Sequence, residues 1–357
     1  MSWVVSPTFA DEPRDVLSPE NWQRVDKAID RGLEYLADHQ RPDGSFESPK
    51  TGQPGITSLA VLAFLSRGHV PGEGPYGKRL LQAIDFVQSC QRENGLLSAA
   101  EPEPQHVHDG ASHTGNYNHA ISGLMLTEVY GMLADERGKR TAATIVLALD
   151  FTRKQQTKPR NNPHEKGGWR YLRPRQGWDA DISVTSWQLM FYRSAKNAGF
   201  DVPVAYVDEA MEYIRRGFDP RQSAYAYNLP GRAGLCTRGV VGGAIVSLAL
   251  GGEHQSDHAR RAGDWILENS FRKYNQGIGP YHYGAYYCSQ AMFQLGGDHW
   301  KRFFPPLSDT LITHQAADGG WEVERDNNGD YFGRSYTTSL SVLALTPAYQ
   351  LLPIYQR

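Results

Sequence analysis

Two kinds of apolar run alternate along this chain, and the alternation constrains the fold more than any other feature. Asn21 to His39 carries Val25, Ile29, Leu33 and Leu36 at helical spacing, as expected of a helix with one buried face. Ile56 to Leu65 is apolar nearly all round and ends near Gly68, as expected of a helix enclosed on most sides and closed by a left-handed glycine. The pair then recurs. Half-apolar runs cover Tyr76 to Gln91, Asp135 to Gln156, Val204 to Arg216, Ser256 to Asn269 and His299 to Gln315. Enclosed runs cover Tyr117 to Met132, Ser183 to Asn197, Cys236 to Leu250, Tyr283 to Leu295 and Arg334 to Leu345. Six outer and six inner helices in repeats of roughly 45 to 65 residues predict a solenoid or a ring. No pair reads as a capping repeat, which favours the closed form. The expectation is an all-α (α/α)6 toroid over residues 21–357, one domain with its inner helices around a central cavity, preceded by an N-terminal extension at 1–20.

Composition excludes several classes of partner. A net charge of −2 supplies no basic field for nucleic acid. The longest apolar stretches fall short of the ~18 to 20 residues that cross a bilayer, which leaves peripheral membrane contact open. Three widely spaced cysteines, Cys90, Cys236 and Cys288, read as buried thiols and not as a disulfide framework. Met1 to Ala10 has the apolar Trp3-Val4-Val5 and then Thr8-Phe9-Ala10, but no positive start and no full apolar core. It reads equally as a remnant export signal or as a plain extension, which leaves cytoplasmic and exported locations both open.

The turns repeat as well. Gln40-x-x-Asp43-Gly44-Ser45-Phe46 matches Gln315-x-x-Asp318-Gly319-Gly320-Trp321; Gln91-x-x-Asn94-Gly95 keeps half of the pattern, and Gln156 with Gly167-Gly168-Trp169 keeps it around an insertion. A glutamine ending an outer helix can bond orphan backbone groups, and Asp-Gly makes the tight turn over which the ring residue packs. These residues are expected to be structural.

With those turns between outer and inner helices, the chain resembles the squalene-hopene cyclases, with their QW repeats, and the related protein prenyltransferase β subunits. The resemblance runs from Asn21 to the C-terminus. A single ring is similar to the one-ring squalene-cyclase-like proteins of bacterial genomes, whereas squalene-hopene cyclases have two such domains. It implies a cavity that takes an isoprenoid or similar apolar small molecule. It also implies acid-initiated, class II type chemistry at an Asp-x-Asp-Asp motif opening an inner helix. Asp179-Ala180-Asp181 stands at such a place. If Asp179 and Asp181 align with the first two acids, Ile182 replaces the third. If Thr185-Ser186 aligns with the Thr-Ala after the motif, Asp181 alone remains and Ser183 takes the proton donor's position. Both registers stay open, with Asp181, Asp179 and Ser183 as the candidate catalytic set. The alternative for Asp181 is a helix N-cap.

Candidate cavity-lining residues are Trp187, His119, Tyr117, Arg238, Tyr283, His282, Tyr287 and Tyr336, since ring faces stabilise cations and contact isoprenoid chains. Arg238 and Arg334 are candidates for a diphosphate. No metal or other cofactor is expected. Zinc is the one exception the residue types leave open, through Asp181, Cys288, His119 and His282, although their spacing departs from the prenyltransferase Asp-x-Cys arrangement. A further group of histidines, His106, His108 and His113, precedes the second inner helix. The Cys-Gly-Glu-Gln of thioester proteins and the cysteine motifs of lanthipeptide cyclases are absent. Two other readings are a non-catalytic binding or scaffold toroid and a carbohydrate-active (α/α)6 enzyme, the latter requiring paired acids across the cavity.

Overall fold

The computed structural model describes residues 14–175, 177–229, 234–324 and 329–356, so the export-signal expectation for Met1 to Ala10 lies outside the described residues. Outer helices are α1 (Pro19–Asp38), α3 (Gly77–Ser89), α5 (Asp135–Gln156), α7 (Val204–Arg216), α9 (Asp257–Glu268) and α11 (Gly297–Thr313). Inner helices are α2 (Gly55–Leu65), α4 (Ala111–Tyr130), α6 (Ile182–Asn197), α8 (Arg238–Leu250), α10 (Tyr281–Leu295) and α13 (Arg334–Leu345), with the single turn α12 (Gly329–Phe332) before the last. A short antiparallel hairpin, β1 (Phe218–Asp219) and β2 (Ala224–Tyr225), follows α7. Each inner helix packs on the next, from α2 through α4, α6, α8 and α10 to α13, and α13 packs on α2. The ring is closed, and the expected (α/α)6 toroid is the fold observed. No helix of the described residues is long and apolar enough to cross a membrane.

The repeated turns do what their chemistry predicts. Each glutamine amide donates once to its own turn glycine and once to a neighbouring outer helix: Gln40 to Gly44 O and Arg79 O, Gln91 to Gly95 O and Thr144 O, Gln156 to Gly167 O and Tyr206 O, Gln315 to Gly319 O and Ala28 O. The glycines at these turns have φ of 91°, 88°, 90° and 92°. A Cβ on Gly167 would stand 2.0 Å from Glu209 O, and on Gly319 2.4 Å from Arg31 O, so the turn needs glycine for both conformation and space. After the turn, the backbone N–H of Phe46, Trp169 and Trp321 donates to Thr57, Thr185 and Thr338 of the following inner helix, each at 3.0 Å. We expect Gln40→Ala to cost about 1–2 kcal/mol in chemical denaturation, because it strips the side-chain partner from two carbonyls.

One boundary differs from expectation. Helix α4 begins at Ala111, six residues before Tyr117, through the polar stretch Ser112-His113-Thr114-Gly115-Asn116. Its capping acid is remote in sequence: the Glu103 carboxylate accepts from Ala111 N at 3.2 Å and Ser112 N at 2.7 Å.

The two ends of the ring are unlike. At the C-terminal ends of the inner helices the chain terminus folds in as a short turn, Pro353–Tyr355. There Ile354 N donates to the buried Glu128 carboxylate at 3.3 Å, and the Tyr355 hydroxyl meets Met190 Sδ at 3.3 Å and the Tyr286 hydroxyl. Above that plug, Trp187 stacks on Tyr286 with ring centroids 5.5 Å apart, and the edge of Tyr287 closes on Trp187 at 5.2 Å. Aromatic packing therefore fills the lower half of the centre, and the N-terminal end of the inner helices stays hollow.

Candidate functional site

The hollow is a cavity of about 440 Å3, lined by every one of the six inner helices. Pairs one helical turn apart, Ile56 and Leu59 on α2, Tyr117 and Ile121 on α4, Ser183 and Trp187 on α6, and Tyr336 and Leu340 on α13, face inward together. Val240 and Tyr283 complete the wall from α8 and α10. His108, Asp109, His113, Tyr171 and Arg175 line it from the loops at the mouth and the first turn of α4.

The wall carries one polar girdle. Tyr117 donates to Ser183 Oγ at 3.1 Å, Ser183 and the Tyr283 hydroxyl share a bond of 2.7 Å, and Trp187 Nε1 donates to that same hydroxyl at 3.0 Å. Three inner helices are tied together here, with hydroxyls presented to the cavity beside Ile121, Val240 and Leu340. Burial pushes both phenols, Tyr117 and Tyr283, above the ordinary range, so they act as neutral donors and acceptors.

A second network stands behind the wall. Asp181 is fully buried and does not line the cavity. It is the N-cap of α6, with Oδ1 accepting from Val184 N at 2.8 Å. Its Oδ2 accepts from the Tyr227 hydroxyl at 3.1 Å, and Tyr227 bonds the Tyr171 hydroxyl at 2.8 Å. Both tyrosines line the cavity. The Arg170 Nε lies 3.9 Å from Asp181 Oδ2, while Arg170 Nη1 donates to Asn228 at 2.8 Å. Burial raises the Asp181 carboxyl to about 6, opposed by Arg170 and by the Val184 and Tyr227 hydrogen bonds. An acid that is half-protonated near pH 6 thus sits one hydroxyl away from the cavity.

The other expected site residues divide by position. Ser183, a catalytic candidate, lines the cavity together with Tyr117, Trp187, Tyr283 and Tyr336. Asp179 does not pair with Asp181: its carboxylate accepts from Asn161 N at 2.6 Å and holds the insertion that follows α5. His119 faces away from the cavity, toward α5. Its Nε2 meets Thr152 Oγ1 at 2.9 Å, and its Nδ1 accepts from Leu97 N at 3.2 Å, the bond that a threonine makes in three other repeats. Arg238 is buried against Phe271, 4.1 Å from its ring centroid, and donates to Gln276 O at 2.7 Å; Arg334 forms a bidentate pair with Asp318. Neither arginine is available to a diphosphate in the cavity. His282 bonds Ser341 at 2.9 Å behind α10, and Tyr287 belongs to the aromatic floor. Cys288 donates to Arg238 O, so the four residue types considered for zinc lie apart, each engaged locally.

The histidine loop comes together instead. His106 and His113 both pack on Tyr171, at 5.2 and 4.0 Å between centroids, and His108 lies 5.1 Å from His113. Burial above all, then His108, His106 and Arg175, lowers His113 to about 3, so it is a neutral imidazole. Tyr227 and Arg170 had no signal in the sequence. Tyr227 follows the β-hairpin in irregular chain and is set by two backbone bonds, Ile182 N to Tyr227 O at 3.1 Å and Tyr227 N to Leu235 O at 3.1 Å.

No protein-family model and no curated protein matches this sequence. Solved structures do match its fold. The type II terpene cyclase MstE from Scytonema in complex with merosterolic acid A superposes with a TM-score of 0.59 at 13% identity, covering 95% of this chain and 100% of that one. The same cyclase with geranylgeranyl dihydroxybenzoate gives 0.58 at 13% identity, covering 93% and 99%. The α-1,6-mannanase GH76A of Salegentibacter sp. HEL1_6 with α-1,6-mannotetrose gives 0.63 at 12% identity, covering 91% and 99%. At this identity the likeness is one of fold: this chain has the α/α toroid that terpene cyclases and glycosidases share.

Proposed function

We propose that this chain is a terpene cyclase-like protein whose cavity binds an isoprenoid or a similar apolar ligand. The observation that carries the proposal is the inner wall: Ile56, Leu59, Ile121, Trp187, Val240 and Leu340 surround a girdle of hydroxyls, with the lining residues His108, Asp109, His113 and Arg175 gathered at the mouth. MstE holds a geranylgeranyl compound in the same fold, which supports the reading, and the four Gln-Gly turns support kinship with squalene-hopene cyclases. The mannanase match keeps a glycan in view. Glycoside hydrolysis uses two carboxyl groups about 5–9.5 Å apart, whereas Asp109 is the one carboxylate among the described lining residues.

Acid chemistry at Asp181 would reach a ligand through Tyr227. With the carboxyl protonated the hydrogen bond between them reverses: Asp181 donates to the Tyr227 oxygen, and the phenolic proton, no longer held by the carboxylate, passes into the cavity. Tyr227 is therefore the contacting group in this reading, and Asp181 its proton reservoir. Ser183, held between two phenols, anchors the ligand instead of replacing the acid.

Titration with geranylgeraniol, read through quenching of tryptophan fluorescence, tests the binding reading. We expect saturable 1:1 binding with a dissociation constant of about 1–10 μM, and no comparable response to mannotetrose. A response to the sugar alone would favour the carbohydrate reading.

A further inference from the structure

We propose that His108, Asp109 and His113 form a site for one first-row divalent metal ion at the mouth of the cavity. Each residue offers one ligand atom, and these atoms lie within 4.8 Å of one another. Ligand distances of about 2.0–2.2 Å place two donors on one ion no more than about 4.4 Å apart. Their span exceeds that by at most about 0.4 Å, and His108 is the exposed member of the set. Two imidazoles and one carboxylate are a donor set suited to zinc or iron(II), and three protein ligands leave coordination positions open.

A second observation points to a ligand at this place. Asp109 Oδ1 is buried without a hydrogen-bond partner among the described residues, and so is the neighbouring His106 Nε2. A buried carboxylate oxygen left in that state is costly unless a cation or donor meets it. The surroundings are rigid. Glu103 caps the helix that carries His113, Val107 N donates to Ser112 Oγ at 2.9 Å, and Asp109 N donates to His113 Nδ1 at 3.2 Å. That last bond engages the Nδ1 lone pair, so an ion takes His113 by displacing the Asp109 N–H from Nδ1 or the proton from Nε2.

All three residues line the cavity, so the open positions of the ion face whatever fills it, and an oxygen at the head of the ligand would complete the shell. Arg175 lines the same mouth and its charge opposes a dication, which sets the expected affinity in the micromolar range and no tighter. The site is independent of the isoprenoid reading, since it rests on the mouth residues alone.

Chelator-stripped protein titrated with zinc chloride against a chromophoric competitor at neutral pH tests it. We expect one equivalent bound with a dissociation constant of about 1 μM. Asp109→Asn and His108→Ala should each weaken binding about tenfold or more, and His164→Ala should leave it unchanged. The His108 side chain is 60% exposed, so His108→Ala retains the fold and keeps the test meaningful if Asp109→Asn does not fold. Binding no tighter than about 100 μM, or one-equivalent binding that survives both variants, overturns the proposal.

Discussion

Asp181→Ala is expected to lower the unfolding free energy by about 2–4 kcal/mol at neutral pH. The side chain is fully buried and serves three groups: the α6 N-terminus through Val184 N, the Tyr227 hydroxyl and the Arg170 guanidinium. Alanine loses the cap, worth about 1 kcal/mol, and leaves a buried hydroxyl and part of a buried cation unmatched. Asp181→Asn keeps an oxygen for Val184 N and should cost less. Their pH dependence separates charge from shape. The folded carboxyl sits at about 6, above its ordinary 3.8. Between those values the folded protein holds a proton that the unfolded chain has released, so this group's contribution to stability falls as pH rises through the window. The whole change corresponds to roughly 3 kcal/mol. Urea titrations from pH about 4 to about 7 should show wild type losing stability relative to Asp181→Asn over that window. A difference that stays flat with pH would mean that Asp181 is not a raised, buried acid.

Val240→Trp should weaken isoprenoid binding about a hundredfold, equivalent to about 2.7 kcal/mol. Val240 lines the cavity from α8, and an indole there occupies space an apolar chain would need. Because the new side chain grows into open volume, the cost of forcing it into a packed core is largely avoided, and thermal unfolding should shift little. The fluorescence titration with geranylgeraniol measures the affinity. Unchanged binding in a folded variant would move the ligand out of the cavity.

The ring was legible because helical periodicity is a local signal: one apolar stripe for an outer helix, apolar on all sides for an inner one, repeated until closure was the economical arrangement. The glutamine turns were legible for the same reason, since Gln40, Gly44 and Phe46 meet within a single turn. Their next partners were not, because Arg79 O and Thr57 belong to other helices. Asp181 as a helix cap could be read from its place before an apolar run. Its pairing with Asp179 could not be judged, since extended backbone sends neighbours but one to the same side only while the strand continues, and here Asp179 turns to Asn161. His119 looked like a cavity or zinc residue by type, yet it takes the place of a repeat threonine. Tyr227, the group that links Asp181 to the cavity, lies in irregular chain 46 positions from its acid, where no periodicity operates. The mouth histidines were visible as a group, but the α4 extension that brings His113 beside Asp109 depends on Glu103, eight and nine residues upstream of the N–H groups it caps.

A crystal structure of the protein with a bromine-labelled geranylgeraniol analogue would locate the ligand by anomalous scattering from the label. A single bromine position inside the ring is expected, with the chain lying between Trp187, Tyr336 and Leu59 and its oxygen toward the mouth. Label found only on the outer surface, or a cavity that holds ordered water while a glycan binds across its mouth, would contradict it.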